Sequence, residues 1–205
     1  MRKLISTILV LCMVLCLLPV TAAATSGGTT SLPTVTLDVG AENQVGPNNE
    51  YEIADDAIKI LKDGVVYELT GTTDRPIWLW GANRESESGT IYLRLNNAEI
   101  NGGIVVQNSP VKLVIEVLDG SANVTYISNS DYSPLKVGVK SGDPTHSLTM
   151  KGDSKLYCLQ GVETSASSVS GLEAFNAAIT LQDNAYLEAK GRATTGSYAG
   201  YGVIT

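Results

Sequence analysis

The sequence predicts an all-β protein, and within that class a right-handed parallel β-helix of about five loose coils, on three observations. Short runs of alternating apolar residues recur along the chain, as in Ile91–Leu95 and Val111–Val117. The gaps between runs are rich in Asn, Asp and Gly, and no run is long enough for a helix. The pattern also repeats: Leu148–Cys158 aligns without a gap on Ile179–Ala189, at an offset of 31 residues.

Each repeat consists of a short strand, a second strand, a turn and a third strand. The predicted copies begin at Ala57, Ile77, Gly103, Leu135 and Gly171, and Gly200–Thr205 opens a sixth. A unit of this size cannot bury its own apolar face, but stacked units with parallel strands about 4.8 Å apart can. Alternation then places one set of side chains inward: Ile91, Leu93, Leu95, Leu113, Ile115, Val117, Leu148, Met150, Ile179 and Leu181. A β-sandwich is the alternative, since many short strands also suit it.

The N-terminus has the pattern of an export signal. Two basic residues precede the apolar run Leu4–Val20, and the small residues Ala22–Ala24 follow. We expect a signal peptide over residues 1–24, cleaved near Ala24, and a secreted or cell-surface protein. Residues 25–50 are predicted as a linker or N-terminal cap with one strand at Thr34–Val39, and residues 51–205 as the β-helix. The chain stops within a coil, which predicts further C-terminal modules that attach it to peptidoglycan or the cell surface.

Charge and cysteine content narrow the partners. The net charge is −7 and becomes −9 when Arg2 and Lys3 leave with the signal peptide. Such an acidic chain repels phosphate backbones, so we expect no nucleic-acid partner. Cys158 is the single cysteine after cleavage, which excludes an intrachain disulfide. Its place in a strand pattern predicts a small buried hydrophobe rather than a reactive thiol.

The most suggestive binding motif is Ile77–Trp80, which carries both tryptophans of the chain. In a strand, Trp78 and Trp80 share one face, about 6.6 Å apart. Exposed indoles combine apolar area with a polar N–H and stack on sugar rings. We therefore predict polysaccharide binding by Trp78 and Trp80, with Tyr92 and Arg94 flanking them on the next coil. The alternative is that the indoles pack under the loop of residues 81–88 or the N-terminal segment.

Acidic residues recur in the turn between the second and third strands of each repeat. If the coils stack in register, these residues form a column: Asp63, Asn97, Asp119, Asp153 and Asp183. Carboxylate oxygens suit Ca²⁺, so Asp119, Asp153 and Asp183 are candidate calcium ligands. The alternative is a series of Asx turns, each bonding its own backbone. The calcium-repeat motif G-G-x-G-x-D is absent from the sequence.

Catalysis has little support. The motifs G-x-S-x-G, H-E-x-x-H and the P-loop are absent from the sequence. The single histidine, His146, follows Gly142–Thr145, and we expect it to be an exposed loop residue. Charged residues gather near the second coil, but no spacing singles out a site: Asp74, Arg75, Arg84, Glu85, Glu87, Arg94 and Glu99. We therefore expect a protein that is not an enzyme.

Three motifs carry a family resemblance. Tyr67–Thr72, Leu93–Ile100 and Leu118–Asn123 have the forms Y-x-L-x-G-T, L-x-L-N-x-A-x-I and L-x-G-S-x-N. The chain from Tyr51 onward resembles exported β-helix proteins of Clostridia and related Firmicutes, known as carbohydrate-binding domain-containing proteins. The resemblance implies a parallel β-helix and a polysaccharide partner, since some relatives bind acidic polysaccharides and calcium. Two other functions stay open, a structural stalk or adhesin module with no ligand and a pectate-lyase-like polysaccharide lyase.

Overall fold

Short strands that pair edge to edge make up nearly the whole fold. A computed structural model describes the protein at residues 31–79, 89–106, 111–118, 125–127, 133–138, 146–153, 155–159, 170–191 and 203–204. Over these residues the protein is all-β, and its one helical turn is the 3₁₀ turn at Pro47–Asn49. None of the described segments is a helix with the length and apolarity needed to cross a membrane.

The strands are brief and closely spaced along the chain. In chain order they are β1 (Thr34–Asp38), β2 (Gln44–Val45), β3 (Tyr51–Ile53), β4 (Ile58–Ile60), β5 (Val66–Thr73), β6 (Ile77–Leu79), β7 (Gly89–Ile100), β8 (Ile104–Val106), β9 (Val111–Val117), β10 (Thr125–Ile127), β11 (Leu135–Val137), β12 (His146–Lys151), β13 (Lys155–Leu159), β14 (Leu172–Ala174), β15 (Ala177–Leu181), β16 (Tyr186–Lys190) and β17 (Val203–Ile204). They form two sheets. The first has the order β15-β12-β9-β7-β10-β13-β16, with β5 on β7 and β1 on β5; the second has the order β17-β14-β11-β8-β6-β4-β3-β2.

The pairings between described strands are parallel, except that β3 runs antiparallel to both β2 and β4. The antiparallel ladders of a β-sandwich are therefore not what joins these strands. The register confirms the sequence alignment, because Leu148 pairs with Ile179 and Cys158 with Ala189. The predicted opening strand of a sixth copy is also confirmed, since β17 pairs in parallel with β14.

Two of the sequence motifs lie where a long strand changes its pairing partner or its register. The N-terminal part of β7 pairs with β9, whereas Ile100 at its end pairs with Ile127 of β10. In β5 the register shifts between Leu69 and Gly71, and Gly71 has a φ of +86°. L side chains rarely adopt this φ, so the bend favours glycine. The Y-x-L-x-G-T motif thus serves a corner of the chain.

Ten side chains were predicted to point inward from the alternation of the strands. The first eight are buried: Ile91, Leu93, Leu95, Leu113, Ile115, Val117, Leu148 and Met150. Ile179 and Leu181 pair in register with the buried Leu148 and Met150 and share their face, but they are 36% and 51% exposed. Both lie on β15, which pairs only with β12 among the described strands. A side chain on such a strand has a packing neighbour on one side, so it stays partly in water.

The folded region begins earlier than the predicted boundary at residue 51. The predicted strand at Thr34–Val39 is confirmed as β1, which pairs in parallel with β5. Leu37 and Val39 are fully buried. The two-residue strand β2 forms the outer edge of the second sheet, and so short an edge offers little template for further pairing. Residues 32–205 are one compact unit, and the predicted signal peptide lies outside the described residues.

A buried tyrosine holds this N-terminal segment in place. Tyr67 on β5 is fully buried, and its hydroxyl lies 3.0 Å from the carbonyl oxygens of both Glu50 and Lys62. Burial raises the pKa of the phenol, so the group stays a donor. The shared hydrogen bond ties the residues on either side of β3 and β4 to the first ladder.

Candidate functional site

Trp78 lies on the outer surface of the second sheet. Its neighbours along β6, Ile77 and Leu79, are fully buried, so the alternation of the strand turns the indole outward. The indole is partly exposed. Trp80, the second predicted contact, lies outside the described residues.

A row of outward residues crosses the second sheet through Trp78. Lys59 of β4 and Val105 of β8 pair with it on either side, and Lys136 of β11 pairs with Val105. We call these four residues the Trp78 row. Adjacent strands are about 4.8 Å apart, so the row presents apolar area at its centre and an ammonium group toward each end.

Each lysine of the Trp78 row already has an acidic neighbour. Nζ of Lys59 is 3.3 Å from Oε1 of Glu52, and Nζ of Lys136 is 3.7 Å from Oε2 of Glu173. All four side chains keep between 23% and 39% of their surface exposed. Ion pairs with this much solvent exposure contribute about 1 kcal/mol or less to the free energy of unfolding. An anionic ligand could therefore replace either glutamate at small cost.

Tyr92 and Arg94 do not flank Trp78 in the strand pairing. Both lie on β7 in the first sheet, where Tyr92 pairs with Val66 and Val114. The sequence predicted Tyr92 and Arg94 on the next coil beside Trp78, whereas β7 is the strand that follows β6 along the chain. In the structure, the neighbours of a strand come from the preceding and following copies of the same strand.

Arg94 takes part in a charge ladder of its own sheet. It pairs in register with Glu68 on β5 and Glu116 on β9, and Lys151 pairs with Glu116 in turn. Nε of Arg94 is 3.0 Å from Oε2 of Glu116, and Nη1 is 3.9 Å from Oε2 of Glu68. The signs alternate over four strands, so the guanidinium serves to pair one strand with the next.

Of the three predicted calcium ligands the structure describes two, Asp153 and Asp183, and each accepts a hydrogen bond from a neighbouring copy. Oδ2 of Asp183 accepts a hydrogen bond from the backbone N–H of Gly152 at 3.1 Å, and Oδ1 of Asp153 accepts one from Nδ2 of Asn184 at 2.8 Å. Asp183 is thus level with Gly152 rather than with Asp153. Asp119 lies outside the described residues. Within the described part of the chain, no three His, Cys, Asp or Glu side chains lie close enough to hold a metal ion.

We expected His146 to be an exposed loop residue because Gly, Asp and Pro precede it, and this prediction is wrong. It is the first residue of β12 and only 2% exposed. Its Nδ1 accepts a hydrogen bond from the backbone N–H of Val111 at 3.5 Å, while Nε2 is buried with no partner among the described residues. Burial lowers the pKa of this imidazole, so it is neutral at ordinary pH and is closed off from any substrate.

Cys158 is structural. Cys158 is fully buried, which confirms the prediction, and burial raises its pKa to about 12, so the thiol stays protonated.

Arg75 is also structural. Its Nη2 lies 2.8 Å from the carbonyl oxygen of Val39 and 2.7 Å from that of Ala41. These bonds join the residues between β1 and β2 to those between β5 and β6. The Arg75 side chain lines an open depression of about 500 Å³, which is also lined by Glu42, Asn43 and Asp55.

One surface cluster was not predicted from the sequence. The outward residues of β13 and β16 are Lys155, Tyr157 and Leu159 on one strand, and Tyr186, Glu188 and Lys190 on the other. The Tyr157 and Tyr186 rings lie diagonally, with centroids 6.0 Å apart and planes inclined at 58°. The signal was available in the repeat, since an offset of 31 residues places Lys155 opposite Tyr186. We call the tyrosines with Lys155, Glu188 and Lys190 the tyrosine patch.

Comparison with known proteins leaves the site to be argued from this chain alone. No family model, no curated protein and no solved structure matches the sequence or its fold.

Proposed function

We propose that the two sheets are the faces of one right-handed parallel β-helix. Successive copies of the repeat contribute their strands in the same order. One copy contributes β6 and the long strand β7, and the next contributes β8, β9 and β10, where β9 and β10 pair with the first part and the end of β7. Each of those strands pairs in parallel with its counterpart in the next copy. Parallel connections of this kind are right-handed in nearly all proteins. Stacking of similar units by parallel pairing is the arrangement that a solenoid requires.

We propose further that the protein binds polysaccharide, including acidic polysaccharide, without cleaving it, and acts outside the cell. The observation that carries this function is the Trp78 row. A partly exposed indole supplies a flat apolar surface for a sugar ring, and Lys59 and Lys136 supply cations for carboxylate or hydroxyl groups. The pattern of residues 1–24 supports export.

The test is binding of the chain without residues 1–24 to a glycan array, followed by titration with the best glycan. Trp78→Ala should weaken binding about tenfold or more, because an aromatic anchor contributes about 1.4 kcal/mol or more at an interface. Trp78→Phe should retain part of the affinity, since it keeps a ring. Tyr92→Ala is the matched control, an outward aromatic residue in the other sheet, and should leave binding unchanged. Equal binding by the wild type and Trp78→Ala would remove the site.

A second function, a stalk or adhesin module with no ligand, is favoured by one observation. Many outward side chains are occupied in joining one strand to the next, as in the ladder of Glu68, Arg94, Glu116 and Lys151. A rod built to carry other modules needs such contacts and no open binding surface. This function predicts no glycan binding on the array at all. It also predicts that neutralising Arg94 and Lys151 together lowers the free energy of unfolding, by about 1 kcal/mol or less for each ion pair lost.

A further inference from the structure

We propose that the tyrosine patch is a second binding site, specific for uronic-acid residues of an acidic polysaccharide. The patch lies on the ladder of β10, β13 and β16, whereas Trp78 lies on the ladder of β4, β6 and β8 in the other sheet. Binding at the tyrosine patch can therefore be tested separately from binding at the Trp78 row. The ligand class follows from its rings, its charges and the shape of its surface.

The two rings offer a platform for a sugar. Tyr186 is 45% exposed and Tyr157 is partly exposed, and their centroids are 6.0 Å apart. Tyrosine combines a flat apolar face with a hydroxyl group, which suits the C–H face and the hydroxyl edge of a pyranose. Exposed large hydrophobic side chains are few in the described part of the chain, so this pairing of rings is a distinct feature of the surface.

The charges of the patch favour an anionic sugar. Glu188 is already occupied, because it accepts a hydrogen bond from the Tyr186 hydroxyl at 3.1 Å and pairs with Nζ of Lys190. Nζ of Lys155 lies 5.8 Å from the centre of the Tyr186 ring and has no carboxylate partner among the described residues. Two lysines and one glutamate leave the patch positive on a chain with a net charge of −7. A carboxylate at Lys155 would bring a sugar ring beside both tyrosines.

The surface favours a sugar polymer over an acidic peptide. Peptides commonly bind by adding a strand to a sheet edge or by filling a groove. The backbone groups of β13 are shared with β10 on one side and β16 on the other, so Lys155 and Tyr157 lie on a sheet face that has no free edge for a peptide strand. Two neighbouring rings inclined at 58° suit one or two sugar units of a chain that continues past the site in both directions.

The experiment is titration of the chain without residues 1–24 with oligogalacturonate, with a neutral galactan and with a poly-glutamate peptide. Tyr186→Ala and Tyr157→Ala should each weaken oligogalacturonate binding about tenfold, as expected for the loss of a stacked ring. Tyr186→Phe should retain most of the affinity. Lys155→Met should weaken the binding of oligogalacturonate and reduce its dependence on salt, with little effect on galactan. Far-ultraviolet circular dichroism should show that the surface variants keep the fold.

Several results would overturn the proposal. Oligogalacturonate affinity that is unchanged in both tyrosine variants would do so, as would the absence of any binding. Poly-glutamate binding that depends on the same residues would show an unspecific anion patch instead. Trp78→Ala separates the two sites. If that variant loses oligogalacturonate binding and the tyrosine variants keep it, the proposed function survives without this second site; the reverse pattern leaves the tyrosine patch alone.

Discussion

The chain has a single histidine, and the fold gives it an environment that resists protonation. His146 is 2% exposed, accepts a long hydrogen bond at Nδ1 and has no partner for Nε2 among the described residues. Charging the ring would place an unpaired imidazolium in the core and would remove the acceptor at Nδ1. Burial therefore lowers the pKa of His146 below its ordinary value of about 6.5.

The lowered pKa predicts that stability falls as the pH is lowered through about 6.5. Between the native pKa and 6.5, the unfolded chain binds more protons than the folded one, so the free energy of unfolding rises with pH in that window. The slope is at most about 1.4 kcal/mol per pH unit for one group, and the effect is complete above 6.5. Urea unfolding measured between about pH 5 and pH 8 checks this expectation.

The variant His146→Met separates this effect from that of the carboxylates. Met fills a similar volume and does not titrate, so its stability should lack the decline that the wild type shows below about pH 6.5. The carboxylates titrate in both proteins and cancel in the difference. If the two stability curves run parallel over the whole range, the buried imidazole is not the group that titrates.

At the scale of single elements, a few corners control how one copy of the repeat rests on the next. Gly138 follows β11 with a φ of +88°, and a Cβ there would lie 1.9 Å from the carbonyl oxygen of Phe175. Because that oxygen belongs to the backbone, it cannot swing away. We expect Gly138→Ala to lower the free energy of unfolding by about 2–5 kcal/mol, from backbone strain and overpacking together. Urea denaturation measures it.

Gly64 provides a matched control for this substitution. It also has a positive φ, +67°, but a Cβ at Gly64 would meet nothing within 4 Å. Gly64→Ala should therefore cost only the strain of the left-handed backbone, about 1–2 kcal/mol. The difference between the two variants isolates the contact between copies. Equal losses would mean that the approach to Phe175 contributes nothing beyond φ.

The elements were predictable where a local pattern decides the outcome. Alternation predicted the central strands, and the gapless alignment predicted the register of Leu148 with Ile179, because one slipped residue would turn every core side chain outward. Local patterns could not decide His146, whose neighbours in sequence are turn formers although its place in β12 is set by pairing with Ala177. The fold of residues 34–50 was underestimated for the same reason.

The candidate site was predictable only in part. Trp78 was expected on an outer face, and the alternation of β6 is enough to put it there. Its neighbours Lys59 and Val105 were not expected, because they come from copies whose offsets from β6 differ. The tyrosine patch depends on an offset of 31 residues that the sequence does contain. Surface rows in a repeat protein are therefore found by aligning the copies first and comparing their outward positions afterwards.

At the scale of the whole molecule, the sheets are assembled from contacts between successive copies, and protection from solvent changes along the stack. Met150 on β12 is 1% exposed, whereas Leu181, its partner on β15, is 51% exposed. Leu69 on β5 is fully buried between Leu37 and Leu95. In the proposed β-helix each strand contacts mainly the copies beside it, so stability is expected to be local to a degree that an ordinary core does not allow.

This local character predicts two distinct patterns of amide hydrogen exchange. In the wild type, β15 and β16 should exchange faster than β7 and β9, since each pairs on one side only among the described strands. Met150→Ala removes about 2–5 kcal/mol of packing and should raise exchange in β12 and β15, leaving β1 and β5 nearly unchanged. Leu69→Ala leaves a cavity of similar size and should raise exchange in β1 and β5, leaving β12 and β15 nearly unchanged. The two variants have their cavities on different rungs of the same ladder, so exchange that rises evenly over all strands in both would show one cooperative core and contradict a stack of semi-independent coils.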